Sequence, residues 1–276
     1  YNAAGQLGDG TTIDRNMPVA VQYMSSGVTA ITLSNHNTFN HRTCAIKNSA
    51  LYCWGDNYGG TLGYTTSQTC SRNYNYPCSV LPGLVTNMSS NVTAVDAGAN
   101  HTCAIRNGAL YCWGSNLDGQ IGDGTYNNSR STPVAVLNMS NNVASVSAGS
   151  SHTCATRSSA LYCWGSNWAG QIGDGTTTRR TVPAAVQNMG NNVTATSAGG
   201  AYTCAIKSAE EVYCWGDNFH GQLGDGTQTS RSAPVRVIGL SPFRKALPAN
   251  EAIGLPTNPV LRWGSRSGAD HYRYCV

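Results

Sequence analysis

Residues 102–114 read TCAIRNGALYCWG, with two cysteines nine residues apart around an Asn-Gly pair, and this stretch decides the fold. Asn-Gly between alternating apolar residues is the strongest short signal for a hairpin with a type I′ turn. Counting outward from the turn places Cys103 opposite Cys112 at a non-hydrogen-bonded position, where Cα atoms lie about 4.5 Å apart. That distance is at the short end of disulfide geometry. The stretch therefore predicts a hairpin closed by a disulfide.

Three further copies of this stretch occur along the chain. They are TCAIKNSALYCWG at 43–55, TCATRSSALYCWG at 153–165 and TCAIKSAEEVYCWG at 203–216. The last copy has one extra residue, so we expect a three-residue turn there. The same count predicts four hairpin disulfides: Cys44–Cys53, Cys103–Cys112, Cys154–Cys163 and Cys204–Cys214.

A zinc site is the alternative interpretation of these cysteines, because His101 and His152 lie just upstream. Structural zinc sites usually draw their ligands from CxxC pairs. A nine-residue spacing repeated at hairpin-matched positions favours disulfides instead. Disulfides persist in oxidising compartments, so the sequence indicates an extracellular or cell-surface location.

Three cysteines lie outside the hairpins. Cys70 and Cys78 bracket the insertion CSRNYNYPC, and we expect them to close a surface loop as a disulfide. Cys275 has no partner left, so we expect its partner to lie outside this chain.

Composition narrows the class of protein further. The net charge is +4, and only 11% of the 276 residues are charged. Long surface helices favour Glu, Lys, Leu and Ala, and Glu and Lys are scarce here. A nucleic-acid-binding protein would show a basic stripe, which is absent from the sequence. No apolar run approaches the eighteen residues of a membrane span, so we expect none in this segment.

The whole unit around each hairpin repeats with a period of about fifty residues. Trp54, Trp113, Trp164 and Trp215 are 59, 51 and 51 residues apart. WGSNLDGQIGDGT, WGSNWAGQIGDGT and WGDNFHGQLGDGT follow three of them, and WGDNYGGTLGYTT is a diverged copy. A Pro-Val segment comes next (TPVAV, VPAAV, APVRV), and the opening residues NAAGQLGDGT match the middle of the unit.

These motifs resemble the regulator-of-chromosome-condensation repeat family, with matches in order over residues 2 to about 240. The resemblance implies an all-β propeller of four-stranded blades, usually seven in number. Four complete repeats and one split between the ends predict at least five blades, seven in the full protein. We therefore expect residues 1–240 to be a propeller incomplete at its N-terminus. Because the chain starts at Tyr1 rather than Met, it is expected to be a mature or partial product.

Several repeated residues have structural interpretations within this fold. Radial stacking buries blade faces, and the repeated Trp is expected to fill the space between blades. His101 and His152 occupy a family repeat position that is Tyr202 in another copy, which predicts a structural hydrogen-bonding role rather than a catalytic base. The repeated Asp-Gly pairs predict turns rather than calcium sites, since no further carboxylates follow at ligand spacing; they start at Asp9, Asp123, Asp174 and Asp225.

The repeat stops after Leu240. Residues 241–258 are a Pro-rich linker, and residues 259–276 alternate around Trp263 and Tyr272. The last segment resembles the first strands of a fibronectin type III or immunoglobulin-like sandwich, with these two aromatics as core candidates. A sandwich needs about seven strands, so we expect this domain to be truncated here.

Six N-x-S/T sequons are candidates for N-glycosylation if the protein is secreted. Asn87, Asn138 and Asn192 lie in similar inter-blade loops and rank highest, together with Asn91. Asn100 is expected to be partly buried beside a disulfide strand. The six residues are Asn87, Asn91, Asn138, Asn192, Asn127 and Asn100.

No catalytic motif stands out, and we predict no enzyme activity, no cofactor and no metal site. The informative positions are those where the repeats differ. The expanded segment LSNHNTFNHRTC and the Cys70–Cys78 insertion carry aromatic side chains that would make contact anchors on stapled loops. These interaction candidates are His36, Phe39, His41, Tyr64, Tyr74 and Tyr76. Surface decoration is the alternative for all six, and metal binding is a minor alternative for His36 and His41.

The function that these features predict is extracellular and structural or adhesive. We expect a building block of a cell-surface appendage or filament, held by propeller contacts with other copies or other extracellular proteins. The alternative is a secreted recognition module, inhibitor-like or lectin-like, that binds a protein or a glycan. Guanine-nucleotide exchange, which named the family, is the least favoured, because an oxidising compartment does not contain its small nuclear GTPase.

Overall fold

The computed structural model describes residues 1–34, 41–70, 76–208 and 211–238. Contacts divide the chain into a unit of Tyr1–Ile238 and a unit of Gly239–Val276. The predicted linker, Trp263, Tyr272, Cys275 and the sandwich strands all lie outside the described residues. Within the described residues, no helix is long and apolar enough to cross a membrane.

The described residues form β-strands and one short 3-10 turn, Tyr58–Gly60. The strands are β1 (Val28–Leu33), β2 (Arg42–Lys47), β3 (Ala50–Asp56), β4 (Thr69–Cys70), β5 (Tyr76–Leu84), β6 (Val92–Ala97), β7 (His101–Arg106), β8 (Ala109–Asn116), β9 (Asn128–Ala135), β10 (Val143–Ala148), β11 (His152–Arg157), β12 (Ala160–Gly165), β13 (Arg180–Ala185), β14 (Val193–Ala198), β15 (Tyr202–Lys207), β16 (Glu211–Gly216) and β17 (Arg231–Arg236).

These strands form four antiparallel sheets, each built on a four-stranded meander. The first is β1-β2-β3-β5 with β4 at its edge, and the others are β6–β9, β10–β13 and β14–β17. This confirms the predicted all-β architecture of four-stranded blades. Residues 1–27 contain no strand and supply turns that pack against the first blade. The described residues therefore form four of the expected blades.

The hairpins have the turn and the register that local sequence predicts. Asn107 and Gly108 have φ of 53° and 73°, the left-handed pair that a type I′ turn needs. Cys103 lies opposite Cys112, with Cα atoms 4.1 Å apart. In the fourth blade Lys207 pairs with Glu211, so three residues separate the paired strands, the number that the extra residue predicts.

Five disulfides are present in the described residues. Four join the second and third strands of a blade, and the fifth closes the insertion between β4 and β5. They are Cys44–Cys53, Cys103–Cys112, Cys154–Cys163, Cys204–Cys214 and Cys70–Cys78.

We predict that removing one hairpin disulfide lowers the free energy of unfolding by about 3 kcal/mol, because each closes a loop of about ten residues in the unfolded chain. The Cys103→Ala/Cys112→Ala variant should therefore show a lower urea midpoint by circular dichroism. Wild type in dithiothreitol should show a larger shift than this variant does. An unchanged midpoint in both samples would mean that the disulfides contribute nothing to stability.

The hydrophobic core lies between neighbouring blades. Between blades one and two, Cys44, Ile46 and Leu51 of the first blade pack against Val92 and Trp113 of the second. Equivalent clusters join the second blade to the third and the third to the fourth. The four repeated Trp side chains are at most 1% exposed. Each blade is therefore completed by its neighbour, as the sequence predicts for the repeated Trp.

The loop of one blade receives the indole of the next. The Trp113 indole N–H donates to the Thr61 carbonyl oxygen at 2.9 Å. Gly63 has φ of 79°, and a Cβ there would lie 2.7 Å from the Trp113 indole nitrogen. Glycine is thus required here both by its left-handed backbone and by the close approach of the indole.

Because each blade is a meander, its connections alternate between two faces of the propeller. In blade two, residues 98–100 and 117–127 connect strands at one face, which we name the loop face. Residues 107–108 and 136–142 lie at the other, which we name the turn face. The other blades follow the same order, so equivalent residues lie at equivalent faces.

Candidate functional site

A buried asparagine holds the long loop between the third and fourth strands of each blade. In blade two, the Asn116 Oδ1 accepts the Ile121 N–H at 3.1 Å, and the Asn116 Nδ2 donates to the Thr125 carbonyl oxygen at 3.2 Å. Asn116 is fully buried. The same two bonds recur at Asn2, Asn167 and Asn218. Asn57 accepts the equivalent N–H from Leu62, but its Nδ2 donates to the Tyr64 carbonyl oxygen instead.

An Asp–Arg pair closes the far end of this loop. The Asp123 Oδ1 accepts the Thr125 N–H at 3.0 Å, and the Asp123 Oδ2 accepts the Arg130 Nε–H at 2.8 Å. Partial burial works to raise the pKa of the Asp123 carboxyl, but hydrogen bonds from Thr125 and Arg130 outweigh it and lower the pKa. The same pair occurs as Asp9–Arg15, Asp174–Arg180 and Asp225–Arg231. These carboxylates are engaged by Thr and Arg in turns.

In each of the four blades, this fixed loop presents one large apolar side chain to solvent on the loop face. It is the residue directly after the buried asparagine, and its exposed fraction is between 59% and 72%. We name these four residues the exposed row: Tyr58, Leu117, Trp168 and Phe219. One such side chain per blade gives the loop face a repeated apolar surface.

An arginine adds a polar group to this surface between the second and third blades. The Arg179 guanidinium lies over the Tyr126 ring, with its carbon 4.2 Å from the ring centroid. It donates to the Leu117 carbonyl oxygen at 3.4 Å and lies 3.9 Å from the Asp118 carboxylate. Contacts from both sides thus orient Arg179 beside one member of the exposed row.

The predicted contact residues have different positions in the structure. The Tyr76 ring makes an edge contact with Tyr58 of the exposed row at a centroid distance of 5.7 Å. The His41 ring makes a similar contact with Tyr1 at 5.6 Å. His36, Phe39 and Tyr74 lie outside the described residues. Tyr76 is therefore the predicted residue that the structure brings to the exposed row.

Tyr64 has a packing role in place of the contact role expected from sequence. It stands where other repeats have the turn aspartate, and its ring packs against the core between blades one and two. The Tyr64 hydroxyl donates to the Cys53 carbonyl oxygen at 2.8 Å. Burial raises the pKa of this hydroxyl.

The repeated histidines link neighbouring blades. The His101 Nε2 lies 2.8 Å from the Thr153 Oγ1, whose hydroxyl donates to the Gln120 carbonyl oxygen. The Thr oxygen must then accept, so the proton is on His101 Nε2. His152 bonds to Thr203 in the same way at 2.9 Å. The prediction that these histidines are structural hydrogen-bonding residues therefore agrees with their geometry.

Arg42 occupies the histidine position in the first blade. Its Nε donates to the Thr102 Oγ1 at 2.9 Å, and its terminal nitrogens donate to carbonyl oxygens of blade two. Burial lowers the pKa of the Arg42 guanidinium to about 10. Burial also lowers the pKa of His101 to about 3, with Arg42 contributing, and that of His152 to about 4. Both imidazoles are therefore neutral at physiological pH.

The glycosylation candidates divide between the two faces. Asn87, Asn91, Asn138 and Asn192 are exposed at the turn face, and Asn127 is exposed at the loop face. These five have φ between 55° and 60°. Asn tolerates this left-handed backbone better than most residues, so turn geometry alone accounts for Asn at these positions. Asn100 is partly buried, and its carbonyl oxygen accepts the Ser115 N–H.

The exposed row is the feature that residue-by-residue comparison of the repeats misses. Tyr58, Leu117, Trp168 and Phe219 differ in identity, but all four are large and apolar at one repeat position. An alignment of the repeats by residue type, rather than by residue identity, would have shown that this loop position is always large and apolar.

The structure is a repeat β-propeller. Its four-stranded blades are joined to their neighbours by a buried indole and by a His–Thr or Arg–Thr hydrogen bond. The chain belongs to the family of the regulator of chromosome condensation (RCC1) repeat, whose model matches residues 48–105, 107–156, 158–206 and 210–246. A second model of the same repeat matches residues 92–120, 143–171 and 193–222.

Curated relatives and solved structures agree with this assignment. The E3 ubiquitin-protein ligase HERC2 of Mus musculus is 28% identical over 177 residues, 63% of this chain and 3% of that protein. The ultraviolet-B receptor UVR8 of Arabidopsis thaliana is 29% identical over 245 residues, 87% of this chain and 53% of that protein.

Among solved structures, Prp20p from Saccharomyces cerevisiae has a TM-score of 0.65 at 17% identity, covering 78% of this chain and 51% of that chain. This likeness shows the fold. The chain spans less than two thirds of the length of each of these three proteins.

Proposed function

We propose that this chain is a protein-interaction module whose loop face binds its partner through the exposed row. The observation that carries the proposal is one large apolar side chain, 59–72% exposed, on the same fixed loop of four successive blades. Exposed apolar patches on soluble proteins mark sites of protein interaction.

The composition of the loop face favours a protein partner. Binding energy in protein interfaces is concentrated in a few residues, among which Trp, Tyr and Arg are enriched. The loop face offers Trp168, Tyr58 and Arg179 together with Tyr76 and Phe219. Charged residues are depleted at interface centres, in keeping with this weakly charged chain.

The rigidity of the loops supports the same function. The buried asparagine and the Asp–Arg pair fix each loop at both ends in blades two to four, so little backbone order remains to be gained on binding. Binding affinity is lost when loops must become ordered, and this loop face avoids most of that cost.

Within this proposal the chain acts outside the cell, by binding alone, as a structural or adhesive component that assembles with copies of itself. Five disulfides in the described residues support an oxidising compartment. The same disulfides count against guanine-nucleotide exchange on a nuclear GTPase. A secreted recognition module for a protein or glycan is the second candidate, and the same aromatic surface favours it.

The test compares an exposed-row variant of the oxidised chain with a control variant. One replaces the exposed row (Tyr58→Ser, Leu117→Ser, Trp168→Ser, Phe219→Ser), and the control replaces three exposed residues elsewhere (Leu84→Ser, Leu137→Ser, Ile238→Ser). Sedimentation velocity over a range of concentrations measures self-association. We expect wild type and control to assemble alike, and the exposed-row variant to associate at least ~100-fold more weakly, since hot-spot residues contribute about 2 kcal/mol each.

Each alternative result has a definite meaning. A wild-type chain that stays monomeric at all concentrations would contradict the structural or adhesive function. The secreted recognition module would then be the remaining candidate. Assembly that survives in the exposed-row variant would show that the contact surface is elsewhere. Regular filaments in electron micrographs of the wild type, absent from the variant, would support the proposal directly.

A further inference from the structure

The second strand of each blade ends on a cation at the turn face. The four residues are Lys47, Arg106, Arg157 and Lys207. The first three are 59 and 51 residues apart, so no basic run marks them in the sequence. Because the strand order is the same in every blade, the fold brings these cations to equivalent positions of one face.

The first three cations are held in place by the connection that precedes their blade. The Arg106 Nε donates to the Ser90 carbonyl oxygen at 3.3 Å, and the Arg157 Nη1 donates to the Asn138 carbonyl oxygen at 2.8 Å. Lys47 donates in the same way to the connection before blade one. All three side chains are partly exposed. A guanidinium has five N–H donors and an ammonium three, so each cation keeps donors beyond this bond.

Among the described residues, no carboxylate belongs to the turn face of blades one to three. The turns and connections of this face are residues 20–28, 47–50, 84–92, 106–109, 135–143, 157–160 and 185–193, and none is Asp or Glu. The residues paired directly across from the three cations are alanines. No salt bridge within the described part of the chain involves Lys47, Arg106 or Arg157.

The aspartates are instead concentrated at the loop face. Every Asp of the described residues lies in a loop-face connection or within two residues of one. Blade four differs at the turn face, because Glu211 lies directly opposite Lys207 and forms an ion pair with Arg236 at 3.4 Å. Blades one to three therefore share a row of positive charge, which we name the basic row: Lys47, Arg106 and Arg157.

The groups around the basic row favour a sugar polymer as its ligand. Amide and hydroxyl groups donate to and accept from sugar hydroxyls, and exposed Asn and Ser residues surround the cations. They include Asn48, Ser90, Asn91, Asn107, Asn138, Ser140, Asn141 and Ser158. Tyr23 is the one aromatic residue in the described turns and connections of this face. Single-stranded nucleic acids bind by stacking successive bases on aromatic side chains, so this surface suits them poorly.

We propose that the turn face binds a linear anionic polysaccharide along the basic row, with one anionic group held by each of blades one to three. Sulfate and carboxylate share the anionic oxygens that Lys and Arg bind through charge-assisted hydrogen bonds. The neighbouring Asn and Ser side chains bind the sugar hydroxyls. The exposed row is on the opposite face, so this site goes beyond the proposed function and does not depend on it.

The probes are labelled oligosaccharides of heparin, which carries sulfate, and of hyaluronan, which carries carboxylate alone. The full chain is produced in a bacterial periplasm, where disulfides form and no N-glycan covers the sequons of this face. Fluorescence anisotropy at low salt should show saturable, micromolar binding of at least one probe. Between 50 and 200 mM salt its dissociation constant should rise at least tenfold, as expected for a polyanion held by several cations. Absence of saturable binding of both probes would overturn the proposal.

A triple variant tests the basic row itself. Lys47→Gln/Arg106→Gln/Arg157→Gln should bind at least ~30-fold more weakly, because each cation near a polyanionic surface contributes about fivefold to affinity. Gln keeps an N–H donor for the backbone carbonyl oxygen. The variant Lys47→Arg/Arg106→Lys/Arg157→Lys keeps the charges and should retain affinity within about threefold, which separates loss of charge from loss of fold.

A charge-matched control addresses net charge. Ser67→Glu/Thr177→Glu/Gln228→Glu lowers the net charge by the same amount at exposed loop-face positions. It should bind within about threefold of wild type, since salt screens charges that lie more than about 10 Å apart. Equal losses in this control and in the triple Gln variant would show that net charge alone drives binding, and would overturn the basic row as the site.

Two further comparisons test the charge argument and the ligand class. Lys207→Gln should lose less than about twofold because Glu211 lies opposite, whereas Arg106→Gln should lose about fivefold. Similar losses would contradict the argument from local charge. A single-stranded oligonucleotide of equal charge should bind at least ~tenfold more weakly than the better oligosaccharide, because the face lacks a row of aromatic side chains in its described residues. An oligonucleotide that bound as tightly would overturn the polysaccharide as the ligand.

Discussion

Replacing Trp164 with Ala should lower the free energy of unfolding by about 3–5 kcal/mol, the range for deleting a fully buried large aromatic side chain. Trp164 is completely buried between its own blade and blade two. The blade-two residues in the same cluster are Cys103, Cys112, Ile121, Val136 and Met139. Its indole N–H also donates to the Gln120 carbonyl oxygen at 2.9 Å. Urea unfolding followed by circular dichroism measures the change.

Trp168 is the matched control, four residues further along the chain. Its side chain is 70% exposed in the exposed row, so Trp168→Ala should change the free energy of unfolding by less than about 0.5 kcal/mol. Under the proposed function, the same substitution should weaken partner binding. Comparable destabilisation by the two substitutions would contradict the placement of Trp164 between blades.

Acid should destabilise the chain well before its carboxylates titrate. His101 and His152 are neutral in the folded state, with pKa values of about 3 and about 4, against about 6.5 in the unfolded chain. The unfolded state therefore binds more protons below pH 6.5, so stability is complete above that pH and falls as the pH approaches the folded values. Linkage gives a loss of about 2 kcal/mol per histidine between pH 7.5 and pH 5.

Urea midpoints at pH 7.5, 6 and 5 measure this dependence. A His101→Gln/His152→Gln variant provides the control, because Gln retains an N–H donor for Thr153 and Thr203 but does not titrate. Its absolute stability will be lower, and its stability should be nearly constant over this pH range. A variant that kept the wild-type slope would show that other groups cause it.

The sequence predicts the hairpins in detail because their determinants are local. Asn107-Gly108 sets the turn, and the nine-residue spacing then places Cys103 opposite Cys112 whatever the remaining chain does. The blade architecture also follows from sequence, since the repeat recurs over most of the chain. The burial of Trp113 between blades is the expected consequence of stacking such units.

The contacts between blades are not accessible in the same way. The bond from His101 to Thr153 spans 52 residues, and nothing local to either residue specifies the other. The contacts of Arg42 are harder still to predict from sequence. Arg42 stands at the histidine position, but its longer, charged side chain donates to a different set of carbonyl oxygens. Tyr64 was expected to be a surface contact residue because it is an aromatic residue in a variable loop. Its side chain instead packs inward at the position where other repeats have the turn aspartate.

The candidate site was predicted in part. Aromatic loops at the face that carries Tyr76 follow from the sequence, but the exposed row does not follow from any single repeat. Exposure is a property of how the loop folds back on Asn116 and Asp123, and only the folded loop shows that Leu117 points away from the core.

The buried asparagine has an evolutionary consequence. In blade two its hydrogen bonds go to backbone and side-chain groups of the same loop and none goes to the side chain of the next residue, so the loop keeps its shape whatever that side chain is. Selection can therefore change that side chain in one blade at a time, as the Tyr, Leu, Trp and Phe of the four copies illustrate. The specificity of the loop face can in this way change through four independent positions, one per blade, while the residues that hold the loops stay the same.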